Sequence, residues 1–357
     1  MVHLPRSLHL IGGLAAAALL ATALTACSAG TTAEPGAETG QSPSGAATPA
    51  TLTIYSGQHE AFAQSLADAF TADTGIATQL RAGSDVELVN QIIEEGDNSK
   101  ADVILTEEPG PIDTLAAAGV LSPVSPPTLA KTVTQYNPGN GLWLAWAARA
   151  RSVVYNPTMI SADKLPAHLL DLADPKWKGT FAYAPSGAFV GTVTYLIDTI
   201  GADKTRTWLE GIRDNGENLG KNAAVRDAVE AGQISFGLIN HYYWFLKADE
   251  VGAENMVSKQ HYMGNQDAGA LVFPSGAGVL KTSSHQAEAQ QFLGWLADAD
   301  GGQKIVASDS PQYPLGIGVT STQDLEPLEN LDPPVVDSGD FANPENAQQL
   351  LVEVGII

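Results

Sequence analysis

Two hydrophobic patterns divide the chain near residue 50. Before that point, residues 10–21 (LIGGLAAAALLA) form an unbroken apolar run behind Arg6. The run is shorter than the roughly 20 residues a membrane-spanning helix needs and has the length of a signal peptide. Residues 28–50 use only Ala, Gly, Ser, Thr, Pro, Glu and Gln, a composition unable to bury enough surface to fold. Such a segment reads as a tether with a root-mean-square span of about 25–30 Å. From Thr51 onward, short apolar runs alternate with helical periodicity. Leu52–Tyr55 reads as a buried strand, and Phe62, Leu66 and Phe70 then line one helix face up to a stop at Gly75.

The alternation continues. A strand near Ile76–Leu80 precedes Ser84 and Glu87, a capping-box pair, with Leu88, Val89, Ile92 and Ile93 behind it and a stop at Gly96. Asp102–Leu105 reads as a third strand, and Pro111 as the opening of a helix that stops at Gly119. Leu142–Tyr155 is long, β-rich in its second half and free of turn signals, which suits a strand that leaves one domain for another. A second set follows: a strand at Thr180–Ala184, helices near Ser186–Ile200 and Asp203–Arg213, a helix capped by Asn222, a strand at Ile234–Ile239, and a helix from about His241. Gly269–Leu280 reads as a return strand, and Ser283 with Gln286 as the cap of the next helix. The pattern predicts an α/β fold with a mostly parallel sheet covered by helices, in two lobes with a ligand cleft between them.

Composition narrows the chemistry. The 357 residues carry 18 Lys plus Arg against 40 Asp plus Glu, a formal charge of −22 that repels phosphate backbones and argues against nucleic acid as a partner. The one cysteine excludes an internal disulfide and any multi-thiolate metal centre. That residue, Cys27, follows Leu24-Thr25-Ala26, which resembles a bacterial lipobox and implies lipidation at Cys27 and a membrane anchor facing the extracytoplasmic side. With the signal peptide and its Arg6 removed, 17 basic residues face 40 acidic ones, a charge of −23. No G-x-S-x-G, H-E-x-x-H, C-x-x-C or complete G-x-x-x-x-G-K-[ST] occurs; Gly216 to Lys221 is one residue short of the last. An enzyme is therefore not expected.

The most informative local run is Asn240-His241-Tyr242-Tyr243-Trp244, directly after an apolar strand. Adjacent tyrosines reach one target only where the backbone leaves strand geometry, as at a strand-to-helix turn, and Asn240 suits an N-cap there. Such a pair also serves as packing with a wet hydroxyl. Phenolates are hard oxygen donors, suited to a cation charged enough to displace a proton of ordinary pKa about 10, and ferric ion is the obvious candidate. His59 and Glu107 follow the first and third strands, at the strand ends where α/β proteins place ligand groups. One imidazole, one carboxylate and two phenolates carry a charge near −3. Ser186-Gly187-Ala188-Phe189 opens a helix after a strand and Pro185, a place where exposed N–H groups attract anions; Asn222 and Asn240 add donors.

These residues sit in longer similarities. SGQHE at Ser56–Glu60, EEGD at Glu94–Asp97, ADVILTE at Ala101–Glu107, PKWKG at Pro175–Gly179, SGAF at Ser186–Phe189, YYW at Tyr242–Trp244, QDAGALV at Gln266–Val272 and QAEAQQFLGWLA at Gln286–Ala297 resemble the ferric-iron-binding substrate-binding proteins of bacterial ABC importers. The likeness covers nearly all of residues 51–357 in one order. It implies a two-lobed periplasmic-binding-protein fold of class II type, hinge strands joining the lobes, and delivery to an ABC permease by a monomer. In that family the counterparts of His59, Glu107, Tyr242 and Tyr243 ligate Fe(3+), and those of Ser186, Gly187, Ala188, Asn222 and Asn240 hold a synergistic anion such as phosphate or carbonate.

Two positions depart from the family pattern. Glu108 stands where well-known members carry Gln, and its carboxylate either weakens anion binding or substitutes for the anion. His241 replaces a common Asn and is expected to face solvent on the first turn of its helix. The expected organisation is a signal peptide over residues 1–26 and a lipidated, disordered linker over 27–50. Lobe 1 takes 51–149 and 273–323, and lobe 2 takes 150–272 and 324–357. The same fold binding a polyamine, a phosphonate or another small organic solute is the alternative, since Glu107, Glu108 and the tyrosines also suit a cationic ligand.

Overall fold

A computed structural model describes residues 51–336, 341 and 344–357. The apolar run, Cys27 and the tether lie outside the described residues. Among the described residues no helix is long and apolar enough to cross a membrane.

The chain begins with β1 (Thr51–Ser56), α1 (Glu60–Thr74), β2 (Ala77–Ala82), α2 (Asp85–Glu95), β3 (Val103–Thr106) and α3 (Pro109–Ala117). The short β4 (Leu121–Ser122) and α4 (Pro126–Leu129) lead to β5 (Leu144–Tyr155). Then come β6 (Phe181–Tyr183), α5 (Gly187–Ile200), α6 (Ala202–Asn215), β7 (Glu217–Asn218), α7 (Asn222–Glu230), β8 (Phe236–Asn240), α8 (Tyr242–Val251) and β9 (Lys259–His261). The chain returns through β10 (Val272–Leu280), α9 (Gln286–Leu296), α10 (Gly302–Asp309), β11 (Tyr313–Pro314) and α11 (Pro344–Glu353).

Helix ends follow local chemistry. Gly75 adopts the left-handed φ of 75° that a C-cap requires, and its N–H reaches Thr71 O. Ser84 Oγ accepts the Glu87 N–H at the start of α2. The expected caps at Asn222, Asn240 and Ser283 are displaced, each by what the side chain does instead. Asn222 is the first residue of α7 and donates from Nδ2 to Ser186 Oγ. Asn240 ends β8 and lends Oδ1 to Arg151, so the cap position of α8 falls on His241. Ser283 Oγ accepts the His285 N–H, and α9 starts at Gln286, which turns its amide back to Leu280 O.

Strands run in the order β2-β1-β3-β10-β5-β8-β6-β7. The expectation of a mostly parallel sheet holds only at the flanks, where β1 pairs β2 and β3, and β6 pairs β7 and β8, in parallel. The middle is antiparallel because the two long strands there run in opposite directions across it. Leu144–Ala150 of β5 pairs β10, and Arg151–Tyr155 pairs β8. All twelve residues of β5 are buried, so one strand belongs to both halves of the sheet.

Separate apolar clusters cover each half. Leu52, Ile54, Phe70, Leu105, Trp146, Phe292 and Leu293 form one, and Phe181, Phe189, Trp208, Phe236, Phe273 and Leu350 another. The phenylalanines among these are essentially inaccessible, each contributing about 1.5–3 kcal/mol. Beside a third cluster, Trp143 Nε1 donates to Asp113 Oδ1 at 2.8 Å, and Asp113 Oδ2 has no hydrogen-bond partner among the described residues. Burial pushes the Asp113 carboxyl up to about 7, against the opposing pull of the indole N–H. A raised folded-state pKa gives stability that is complete below the unfolded value near 4 and lost as pH rises through 7. Asp113→Asn keeps an acceptor for Trp143. It is expected to flatten this profile and to gain on the order of 2 kcal/mol in mildly alkaline buffer. Urea unfolding on both sides of neutrality tests this, and an unchanged pH slope would rule it out.

Candidate metal site

Three strand ends build the site. After β1, Gly57 donates its N–H to Leu105 O at 2.8 Å, and Gln58 Nε2 donates to Thr106 O at 2.9 Å, clamping this loop to β3. A Cβ at position 57 would lie 1.6 Å from Asp85 Oδ1, so any other residue there displaces the Asp85 carboxylate. The next residue, His59, takes the cap position of α1 with its ring half-exposed. After β3, the Asp85 carboxylate at the start of α2 accepts the N–H groups of Glu107 (3.0 and 2.9 Å) and Glu108 (2.9 Å), which fixes the direction of both side chains. Burial pushes the Asp85 carboxyl up to about 7; the two N–H bonds oppose this and the neighbouring glutamates add to it.

After β8, Tyr242 and Tyr243 open α8 with their rings stacked at 4.3 Å. Tyr242 Oη donates to Glu107 Oε1 at 3.4 Å, and His59 Nε2 lies 3.9 Å from the same oxygen. The His59 and Tyr242 rings meet edge to face at 5.9 Å. Two of the expected residues, His59 and Tyr242, thus meet at Glu107, and Tyr243 reaches the group through its stack on Tyr242. Burial, reinforced by Glu107, raises both phenol pKa values above the ordinary range, so a cation bound there displaces protons on entry. Among the described residues there is no group of three His, Cys, Asp or Glu placed to hold a metal, so this donor set depends on its phenols.

Beside these side chains the structure places two arginines that the sequence reading did not single out. Arg149 and Arg151 are both buried, and two residues apart on β5 they share one face. Arg149 Nη1 lies 3.0 Å from Glu107 Oε1 and Nη2 3.5 Å from Glu108 Oε2. Although burial opposes it, the two glutamates hold Arg149 more firmly protonated than usual. Burial pulls Arg151 down to about 10, which leaves it charged at neutral pH, and its Nη1 donates to Asn240 Oδ1 at 2.9 Å. The available signal was ARAR within a strand otherwise suited to complete burial, because unpaired arginines are almost never buried.

The expected anion residues divide. Ser186 holds the cap position of α5, and its Oγ accepts from Asn222 Nδ2 at 2.9 Å. Gly187 begins the helix beside Glu108: a Cβ there would lie 3.1 Å from Glu108 Oε1. The Ala188 side chain is buried in the apolar cluster, leaving its backbone for any ligand, and Asn240 joins the group through Arg151. A cavity of about 570 Å³ is lined by Asp85, Glu107, Glu108, Ser186, Gly187 and Phe273 among others; His59, Tyr242 and Tyr243 lie outside this lining.

His241 corrects an expectation. It is fully buried, not solvent-facing. Its N–H donates to Ala150 O at 3.0 Å, its Nδ1 accepts the Ala150 N–H at 3.1 Å, and its ring stacks on Tyr313 at 4.8 Å. Burial pulls it down to about 3, so it stays neutral and fastens the first turn of α8 to β5.

The sequence profile described as bacterial extracellular solute-binding protein matches residues 56–303. The chain belongs to this family. This solute-binding protein is 40% identical over 307 residues to the Fe(3+)-binding periplasmic protein of Serratia marcescens, a match covering 86% of this chain and 90% of that one. It is 39% identical over 316 residues to the major ferric iron-binding protein of Neisseria meningitidis, covering 87% and 95%. Among solved structures, iron-bound HitA from Pseudomonas aeruginosa superposes with a TM-score of 0.81 at 42% identity, covering 86% of this chain and 100% of that one. The Trichodesmium IdiA (FutA) protein in complex with iron and citrate gives 0.75 at 29% identity, covering 85% and 99%. The solute-binding protein thus has the two-lobed α/β architecture of periplasmic binding proteins. Its relatives are ferric-binding proteins by name.

Proposed function

We propose that this protein captures ferric iron in the cleft, with His59, Glu107, Tyr242 and Tyr243 as ligands, and delivers it to an ABC permease. The observation that carries this reading is the approach of His59 and Tyr242 to Glu107 Oε1 from three separate strand ends, with Tyr243 stacked on Tyr242 beside them. Their charge, near −3 once the phenols ionise, matches a trivalent cation. Ser186, Gly187, Ala188, Asn222 and Asn240 form the subsite for an accompanying oxygen ligand, supported by the start of α5 and by Arg151 behind Asn240. The polyamine alternative is disfavoured by Arg149 and Arg151, whose charges lie behind the carboxylates.

The same proposal takes Cys27 as the lipid anchor of a monomer held at the extracytoplasmic face of the membrane, without catalytic turnover. Lobe 1 comprises 51–149 and 273–323, and lobe 2 comprises 150–272 and 324–357. Supporting this division, β5 changes partners between Ala150 and Arg151, and α11 packs on α5. Ferric ion added to the metal-stripped protein is expected to give a visible tyrosinate charge-transfer band, while calorimetry with polyamines and phosphonates shows no heat of binding. Heat with an organic solute and no band with iron would sink the proposal.

A further inference from the structure

Each of the three strand ends that carry the ligands is held at the residue directly before its ligand. Gln58, before His59, donates from Nε2 to the carbonyl of Thr106, before Glu107. His241, before Tyr242, is tied to Ala150 through both its N–H and its Nδ1. These holds meet at two consecutive residues far along the chain, Gln312 and Tyr313. Gln312 Nε2 donates to Gln58 Oε1 at 3.4 Å. The Tyr313 ring stacks on His241 at 4.8 Å with an interplanar angle of 28°. Tyr313 also pairs with Ala148 of β5, two residues before the Ala150 that holds His241. Neither residue is one of the donors assigned above to the ion.

Gln312 is 3% exposed and uses only half of its amide, since Oε1 has no hydrogen-bond partner among the described residues. An apolar side chain of similar length would avoid that unpaired acceptor, so packing does not account for the glutamine; its bond to Gln58 does. Gln58 is buried to the same degree, which keeps water from replacing that bond. The spacing of the ligands needs such support. Donors on separate strand ends are not linked to one another covalently, and partners outside the ligand set must fix their separation. We propose that Gln312 and Tyr313 are positioning residues for the metal site: they set the distance between the paired loops of His59 and Glu107 and the start of α8, so that the donors are gathered before the ion enters. The proposal rests on the ferric reading given above.

The test is ferric affinity by citrate competition, with the charge-transfer band and urea unfolding followed in each variant. Gln312→Met exchanges one unpaired acceptor, its own Oε1, for another, Gln58 Oε1, so its unfolding midpoint is expected to move little. Its ferric affinity is expected to fall about tenfold, the lower end for partners that orient a metal's ligands, because the bond removed is a long one. Tyr313→Leu is expected to lose about ten- to a hundredfold, and Tyr313→Phe, which keeps the ring on His241, to restore the affinity. Phe292→Leu, in the apolar packing around Phe70 and Trp295, supplies the comparison for loss of stability alone. An affinity within about threefold of the unmodified protein in either Gln312→Met or Tyr313→Leu overturns the proposal. So does a loss in Tyr313→Phe as large as that in Tyr313→Leu, or a loss in Phe292→Leu as large as that in Gln312→Met. Should Tyr313→Leu fail to fold, Gln312→Met decides alone. An unmodified protein that gives no band with iron overturns the ferric reading and this proposal with it, whereas a band that forms at an affinity indifferent to these variants overturns this proposal only.

Discussion

Replacing Tyr242 and Tyr243 together by Phe is expected to abolish the charge-transfer band and to lower ferric affinity by about four orders of magnitude or more. Residues that merely support a metal's ligands contribute some 10–100-fold to affinity, and a direct anionic donor contributes at least the upper end of that range for each position. The substitution removes only the hydroxyls. The ring stack at 4.3 Å and the edge contact with His59 survive, and so does the hold of His241 on β5, so the start of α8 keeps its geometry. Of the polar bonds described, only that from Tyr242 to Glu107 is lost, and at 3.4 Å it is a weak one. Unfolding midpoints should therefore move little while binding collapses. Chelator competition and visible absorption measure the outcome, and a retained band at retained affinity would show that the phenols are not ligands.

The largest effect on stability is expected at Arg149. Its guanidinium is wholly buried, 3.0 Å from Glu107 and 3.5 Å from Glu108, with Asp85 close behind through its bonds to both backbones. Arg149→Met fills similar volume but leaves three carboxylates sharing one pocket with only Arg151 as a nearby cation. Losing one partner of a buried ion pair typically costs about 3–5 kcal/mol. The sign of its pH dependence follows. Without Arg149 the Asp85 and Glu108 carboxyls, already raised by burial, are protonated more readily in the fold than in the unfolded chain. The variant's stability is then fully present below the unfolded carboxylate pKa near 4 and lost as pH rises through the raised folded values. Urea denaturation is expected to show a large deficit at neutral pH that shrinks in acid; a deficit independent of pH would mean that Arg149 acts by packing alone.

Much of this arrangement could be read from residue order. The alternation of buried runs with helical faces gave the α/β class, and residues just beyond strand ends gave His59, Glu107 and the tyrosines, because strand ends are where side chains escape the sheet. What escaped the reading depends on pairing between residues 22 to 91 positions apart. Nothing local marks Ala150 as the partner of His241, so the imidazole was expected in solvent, and the arginines beside it were passed over as ordinary strand residues. Asp85 begins α2, and its carboxylate accepts the N–H groups of Glu107 and Glu108, more than twenty positions further along the chain. The caps failed for a related reason: Asn222 and Asn240 had the right chemistry for capping, and longer-range partners, Ser186 and Arg151, claimed it first.

The shared strand also fixes the order in which the molecule can assemble. β5 pairs Ala150 with Val272 and Leu144 with Ala277, partners 122 to 133 positions further along the chain. Contacts of that sequence separation slow folding, since loop entropy is lost before any pairing is gained. A growing chain cannot close the middle of its sheet until β10 has been made, and until then the Leu144–Ala150 half of β5 lacks the long strand that it joins. The pairing that joins the two halves of the sheet is therefore also the one that waits longest.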